Sequence, residues 1–347
     1  MQQYRVAMIG CGGRAREHVA ALKADARVQV VALADVKREA AASLNEDAGF
    51  GAALYDDWGA MLGRERPDVV VACLWTPLHL PVFRGCVAAG ARAVLSEKPM
   101  APTWGECLEM GRLAAESGCL LTFCHQRRFA RGNQAARRLI GEGRFGPLLR
   151  MDLYSPPNLL DCGTHTFDQA LSFNGETPAR WVLGAVDASE TLNWFGVGAE
   201  GMAVGTVVFE NGVRANIQVG GPDLDLWGGV RVTGEAGFLE VTWDGELRRG
   251  AVYDDPAWRP PAVEEPTAAH MLGVVRDALD CLESGAEPEL SYHKALRAEE
   301  IVFALYESVR RHARVTLPLE GVTDNPFLSM QAAGEFAGAA RTAAGGE

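Results

Sequence analysis

No apolar stretch of this 347-residue chain approaches the roughly 20 residues needed to span a bilayer. Paired cysteines are missing too. The eight cysteines, Cys11, Cys73, Cys86, Cys107, Cys119, Cys124, Cys162 and Cys281, form no Cys-x-x-Cys pair, and most stand inside apolar runs. They read as small buried side chains in a reducing compartment, which argues against a disulfide framework or a zinc site; no metal is expected. Positive charge is short. Lysine and arginine number 33 against 45 acidic residues, for a formal charge of −12 and a pI near 5.2. Such a balance disfavours nucleic acid or an anionic membrane surface as a partner. The first strand-like run starts at Val6 and leaves no room for a secretory leader, so a cytoplasmic location is expected.

What is present is an apolar content of 48%, in a length that suits two globular domains. Val6 to Ile9 is an apolar run that ends in Gly10-Cys11-Gly12-Gly13-Arg14-Ala15, after which the apolar spacing becomes helical. Gly10 allows a tight turn, Gly12 leaves the backbone bare for a pyrophosphate, and Ala15 lets the helix pack close to the strand. The helix N-terminus then offers free N–H groups and partial positive charge to phosphates. A second apolar run, 28–34, ends in Asp35, twenty positions beyond Ala15. An acid there accepts hydrogen bonds from an adenosine ribose and repels the extra phosphate of NADP, so NAD is favoured. Lys37 and Arg38 follow at once and leave NADP as an alternative.

Strand-like and helical runs keep alternating through residues 68–74, 81–89, 91–95, 103–117 and 119–124. Strands separated by helices imply right-handed crossovers and a parallel sheet. Ligands of such sheets sit beyond the carboxyl ends of the strands, where Gly10, Asp35, Thr76 (in Trp75-Thr76-Pro77) and Lys98 (in Glu97-Lys98-Pro99) all fall. A lysine delivered beside a dinucleotide points to hydride transfer.

After Pro147 the pattern turns β-rich, at 148–154, 180–187, 204–210, 213–219, 230–233 and 238–243, with Asn211-Gly212 as a hairpin signal. A largely antiparallel sheet with helices on one face is expected, its other face serving dimerisation. Two helices, 268–284 and 292–311, follow. Asp161-Cys162-Gly163-Thr164-His165-Thr166-Phe167-Asp168 predicts a helix capped by Asp161, stapled by Leu160 and stopped by Gly175. Asp161, His165, Asp168 and Ser172 then share one face, while Phe167, Leu171 and Phe173 anchor the helix. Cys162 lies beside this face, but better acid/base groups stand next to it.

These residues resemble the Gfo/Idh/MocA oxidoreductases over nearly the whole chain. The resemblance rests on the Gly10–Ala15 turn, Asp35, Thr76-Pro77, Glu97-Lys98-Pro99, Gln126-Arg127-Arg128-Phe129, Asp161-x-Gly163-x-His165-x-x-Asp168 and the 233–241 stretch. It implies an α/β plus α+β architecture: a Rossmann doubly wound parallel sheet over residues 1–123, an α+β substrate and oligomerisation domain over 124–323, and a tail over 324–347. It implies a dehydrogenase with Lys98, Asp161 and His165 as the catalytic group. The imidazole takes a proton from an alcohol while hydride leaves carbon, and the lysine stabilises alkoxide character. Both side chains are expected to line a wet cleft.

The resemblance further places Gly10, Cys11, Gly12, Gly13, Arg14, Ala15, Asp35, Val36, Lys37, Trp75, Thr76, Pro77, Glu97, Lys98, Gln126 and Arg127 at the cofactor. The candidates for contact with a sugar, polyol or related cyclic alcohol are Lys98, Arg128, Asn158, Asp161, His165 and Trp194. A homodimer or homotetramer formed through the second sheet is expected. Two departures stand out: Leu78 and Pro81 occupy places where the family often has Asn and His, and the segment before Asp161 lacks the common glycines. A glycoside-cleaving reaction with recycled cofactor and a non-catalytic NAD sensor are the rival readings. Trp194, Phe195 and Trp227 read as loop aromatics that either stack on a sugar or pack internally.

Overall fold

The computed structural model describes residues 3–220, 228–266 and 269–336. Its first elements are β1 (Tyr4–Ile9), α1 (Gly13–Ala24), β2 (Val28–Ala34), α2 (Arg38–Ala48), β3 (Ala53–Tyr55) and α3 (Trp58–Glu65). Then come β4 (Val69–Ala72), α4 (His79–Ala89), β5 (Ala93–Ser96), α5 (Trp104–Ser117), β6 (Leu120–Phe123) and α6 (Arg131–Gly141). They are followed by β7 (Leu148–Ser155), α7 (Thr164–Phe173), β8 (Ala179–Trp194), β9 (Val197–Phe209) and β10 (Arg214–Val219). The chain continues with β11 (Gly229–Gly234), β12 (Gly237–Thr242), β13 (Leu247–Val252), α8 (Ala269–Ser284), α9 (Tyr292–Arg311), β14 (Val315–Thr316) and α10 (Pro326–Ala332).

Two compact units result: residues 1–102, 106–131 and 264–296 form one, and 103–105, 132–263 and 297–347 the other. A cut of the chain near 123 leaves out the return of 264–296 to the first unit. In that unit six parallel strands run in the order β3-β2-β1-β4-β5-β6, the doubly wound arrangement of dinucleotide-binding sheets. Val6, Met8, Leu33, Val69, Val71 and Leu95 are buried between helical layers, and Met271, Val274 and Ala278 of α8 complete one of them. Near-continuous apolar strands fit a sheet covered on both faces.

The second unit holds an eight-stranded sheet, β13-β12-β11-β7-β10-β9-β8-β14. It is mixed: β7 and β10 run parallel while the other pairs are antiparallel. The Asn211-Gly212 turn joins β9 to β10 as expected, with Gly212 at φ 85°. Leu305 of α9 seats against two strand glycines, since a Cβ on Gly184 or Gly205 would stand 2.9 or 2.7 Å from its Cδ2. Along β8 and β9, by contrast, Leu183, Met202 and Val204 are exposed. Trp227 lies outside the described residues. Of the tail, α10 is formed and its Asn325 side chain caps it through the Phe327 and Leu328 amides.

Candidate active site

At the end of β1 the chain turns sharply at Gly10, whose φ of 84° favours glycine, and a Cβ there would overlap the Cys73 carbonyl at 2.1 Å. Gly12 caps α1 without a side-chain hydrogen bond, and nothing lies within 4 Å of where the Cβ atoms of Gly12 and Gly13 would be. The first-turn amides are thus left to an anion. Ala15 is fully buried, as close helix–strand packing requires.

Asp35, at the end of β2, is fixed by two backbone amides: Cys11 N donates to Oδ2 (2.7 Å) and Lys37 N to Oδ1 (2.8 Å). That orientation ties the carboxylate to the glycine turn and leaves lone pairs for ribose hydroxyls. Val36 (86% exposed) and Trp75 (63%) offer apolar surface beside these strand ends. Thr76 is buried while Pro77 is exposed, in a single 3₁₀ turn over Thr76–Leu78. The residues present therefore fit a dinucleotide: a bare turn, uncapped amides, an oriented acid and apolar flanks.

Glu97, expected among the cofactor contacts, is buried instead and works from beneath the turn. His18 Nε2 lies 2.9 Å and Arg14 Nε 3.0 Å from its Oε1. Burial opposes its ionisation, but the His18 hydrogen bond and the Arg14 charge outweigh that and hold its pKa at about 2. Gln126, with its amide oxygen toward Arg14 Nη2 (3.2 Å), donates to the Cys124 carbonyl (2.7 Å). Arg14 is therefore fixed from two sides. Arg127 is half-buried. Arg128, expected at the substrate, has a fully buried side chain whose Nη1 reaches Glu289 Oε1 at 3.2 Å, so its charge is committed within the unit.

Lys98 follows β5, half-buried, and the Lys98-Pro99 bond is cis. His79, buried, stands where its ring nitrogens lie 3.2 Å from both Met100 O and Leu74 O. It links the segment after Lys98 to the Trp75 turn, two residues before the position, Pro81, at which the resemblance led one to look for a histidine.

In the second unit the helix start differs from expectation. Asn158, not Asp161, is the cap: its side chain accepts from Asp161 N (2.8 Å). A π-helical turn, Leu159–Gly163, precedes α7, with Gly163 N reaching Asn158 O at 2.9 Å. The wider turn displaces Asp161 from the simple α spacing to His165. Asp161, His165, Asp168 and Ser172 are all buried, His165 at 4% exposure, so the histidine is not on an open wet wall. Cys162 Sγ donates to Asp161 Oδ2 (3.3 Å), which makes the thiol a partner of the acid. Asn158 Nδ2 is buried with no hydrogen-bond partner among the described residues.

Sequence reasoning missed Trp243. Its ring meets the His165 imidazole edge-on, with centroids 5.8 Å apart at 87°. Trp194 lies at the tip of the β8–β9 hairpin, packed edge-on against Phe195. None of the eight cysteines forms a disulfide. Burial pushes Cys11, Cys86 and Cys119 up to about 12, so these three act as packing groups.

Residues 4–125 match the model of an oxidoreductase family with an NAD-binding Rossmann fold, Gfo/Idh/MocA. The match covers the dinucleotide-binding part of the chain, which is an NAD-binding oxidoreductase. A D-apiose dehydrogenase of Paraburkholderia graminis is 25% identical over 342 residues, covering 91% of this chain and 90% of that protein. An inositol 2-dehydrogenase of Pseudomonas savastanoi pv. phaseolicola is 30% identical over 148 residues, 42% of this chain and 44% of that one. In the fold, the WlbA dehydrogenase of Bordetella pertussis, crystallised with NADH and UDP-GlcNAcA, superposes with a TM-score of 0.77 at 21% identity, over 92% of this chain and 99% of that one. These similarities accord with the glycine turn, the strand order and the Glu-Lys-Pro segment described above.

Proposed function

We propose that this chain oxidises a secondary alcohol of a sugar, polyol or related cyclic alcohol, using NAD in preference to NADP. The observation that carries the reading is the pairing of Asp161 and His165 on successive turns of a buried, aromatic-walled helix start. Bound NAD supplies the hydride acceptor. The first-turn amides of α1 hold its pyrophosphate, Asp35 accepts its ribose hydroxyls, and Val36 and Trp75 flank it. His165 takes the hydroxyl proton, Asp161 orients and tunes the imidazole, and Lys98 hydrogen-bonds the same oxygen as alkoxide character develops. Two relatives are named for dehydrogenation of D-apiose and inositol, which supports a polyhydroxylated substrate. The test is a panel of sugars and polyols assayed for stoichiometric formation of NADH. Turnover without net NADH would point instead to a cleavage reaction with recycled cofactor.

The reading includes a cytoplasmic homo-oligomer. The face of the second sheet that carries Leu183, Met202 and Val204 supports it, because these apolar residues share one side of β8 and β9 and stand in solvent in a single chain.

A further inference from the structure

Beneath the π-helical turn lies a carboxylate that the proposed chemistry does not use. Glu200 of β9 is fully buried. Its Oε1 accepts from Leu159 N (2.6 Å), the first amide of the turn, and its Oε2 accepts from the hydroxyl of Tyr306 on α9 (2.6 Å). One helical face of α9 supplies a second anchor: Glu299, two turns before Tyr306 and also fully buried, has Oε1 3.1 Å from Thr164 Oγ1. The five-residue π segment is thus held at its start by Glu200 and just past its end by Glu299.

We propose that Glu200 is a positioning residue: by holding Leu159 it keeps the turn in π geometry and so sets how Asp161 stands relative to His165. The inference rests on the assignment of those two residues to the reaction. Helix ends need their free amides satisfied, and here the Asn158 side chain takes Asp161 N while Glu200 takes Leu159 N. An unanchored turn can relax toward α spacing, which rotates Asp161 about the axis with respect to His165. A buried carboxylate is a costly way to hold one amide, and a fold needing only stability would do as well with apolar packing. Burial pushes Glu200 up to about 7, against the pull of Tyr306 and the Leu159 amide. The titratable groups of α9 at this position are Tyr306 and Glu299.

The test follows the His165 imidazole by NMR in the full chain, its resonance identified by its loss in His165→Asn. Glu200→Gln keeps volume but supplies one acceptor for two donors, and Tyr306→Phe removes one of those donors. In each we expect a native fold by circular dichroism and a His165 titration midpoint moved by about half a pH unit or more. Asp161→Asn should move it as well, and Glu200→Gln combined with Asp161→Asn should add nothing further, because Glu200 acts through Asp161. An unchanged midpoint in both folded single variants, or strictly additive shifts in the double variant, would overturn the inference. Absence of dehydrogenase activity in the wild type would remove the functional reading while leaving this coupling measurable.

Discussion

Replacing Glu97 by glutamine removes the one anion that His18 and Arg14 share beneath the glycine turn. Its pKa of about 2, against an ordinary 4.5, is a gap of about 2.5 pH units, or on the order of 3 kcal/mol of stability at neutral pH. The sign follows from the depression. The contribution is complete above about pH 4.5 and is lost as pH falls from there toward 2. Glutamine also takes from the half-buried Arg14 its buried partner, leaving it the ion pair with the exposed Glu17. At pH 7 the variant should therefore be weaker by about 3 kcal/mol. The deficit should shrink below about pH 4.5, where the wild type loses the same interaction. Two units need not melt together, so the assay is hydrogen exchange of β1 and β4 amides in increasing urea, at neutral and acidic pH. Calorimetric titration with NAD should show weaker binding, because Arg14 belongs to the turn. Wild-type protection at pH 7, or a deficit of equal size at pH 7 and pH 3, would refute the reasoning.

Asp35→Ala should lose most of the discrimination between NAD and NADP, and clear NADP preference in the wild type would transfer the role to Lys37 and Arg38; competitive titration decides. A charge placed on the exposed sheet face, Leu183→Glu, should turn the proposed oligomer into a monomer in sedimentation velocity, whereas a wild type already monomeric at high concentration would remove that face from the interface.

Most of the first sheet was legible because its buried parallel strands are near-continuous apolar runs ending at turns, so Gly10, Asp35, Thr76 and Lys98 could be placed at strand ends by position alone. β3 has only three residues, too few for a periodic signal. β13 opens Leu-Arg-Arg-Gly, which reads as exposed loop until β12 pairs with it. The return of α8 to the first unit is a tertiary choice, invisible to local periodicity. At Asp161 the sequence offers two good capping residues three apart, and nothing local says that Asn158 wins or that a 5-residue ring follows. Glu97 reads as a ligand group until burial places it under Arg14. Glu200 did carry a signal: a lone acid inside the small and apolar stretch Ala199 to Ala203, where an inward charge needs a dedicated partner. Trp243 sits at a strand end and had no pattern to mark it.

The most direct measurement is the rate of reduced-nicotinamide formation, followed by its near-ultraviolet absorbance, for wild type, Lys98→Ala and His165→Asn on the best alcohol of the sugar and polyol panel. Asparagine retains part of the buried volume, since His165 is not in open solvent. With Lys98 and His165 as the reacting groups, both variants bind NAD and remain folded, while turnover falls by roughly 10²-fold or more. Variants that are folded, bind NAD and turn over at the wild-type rate would contradict the assignment of the chemistry to these two residues.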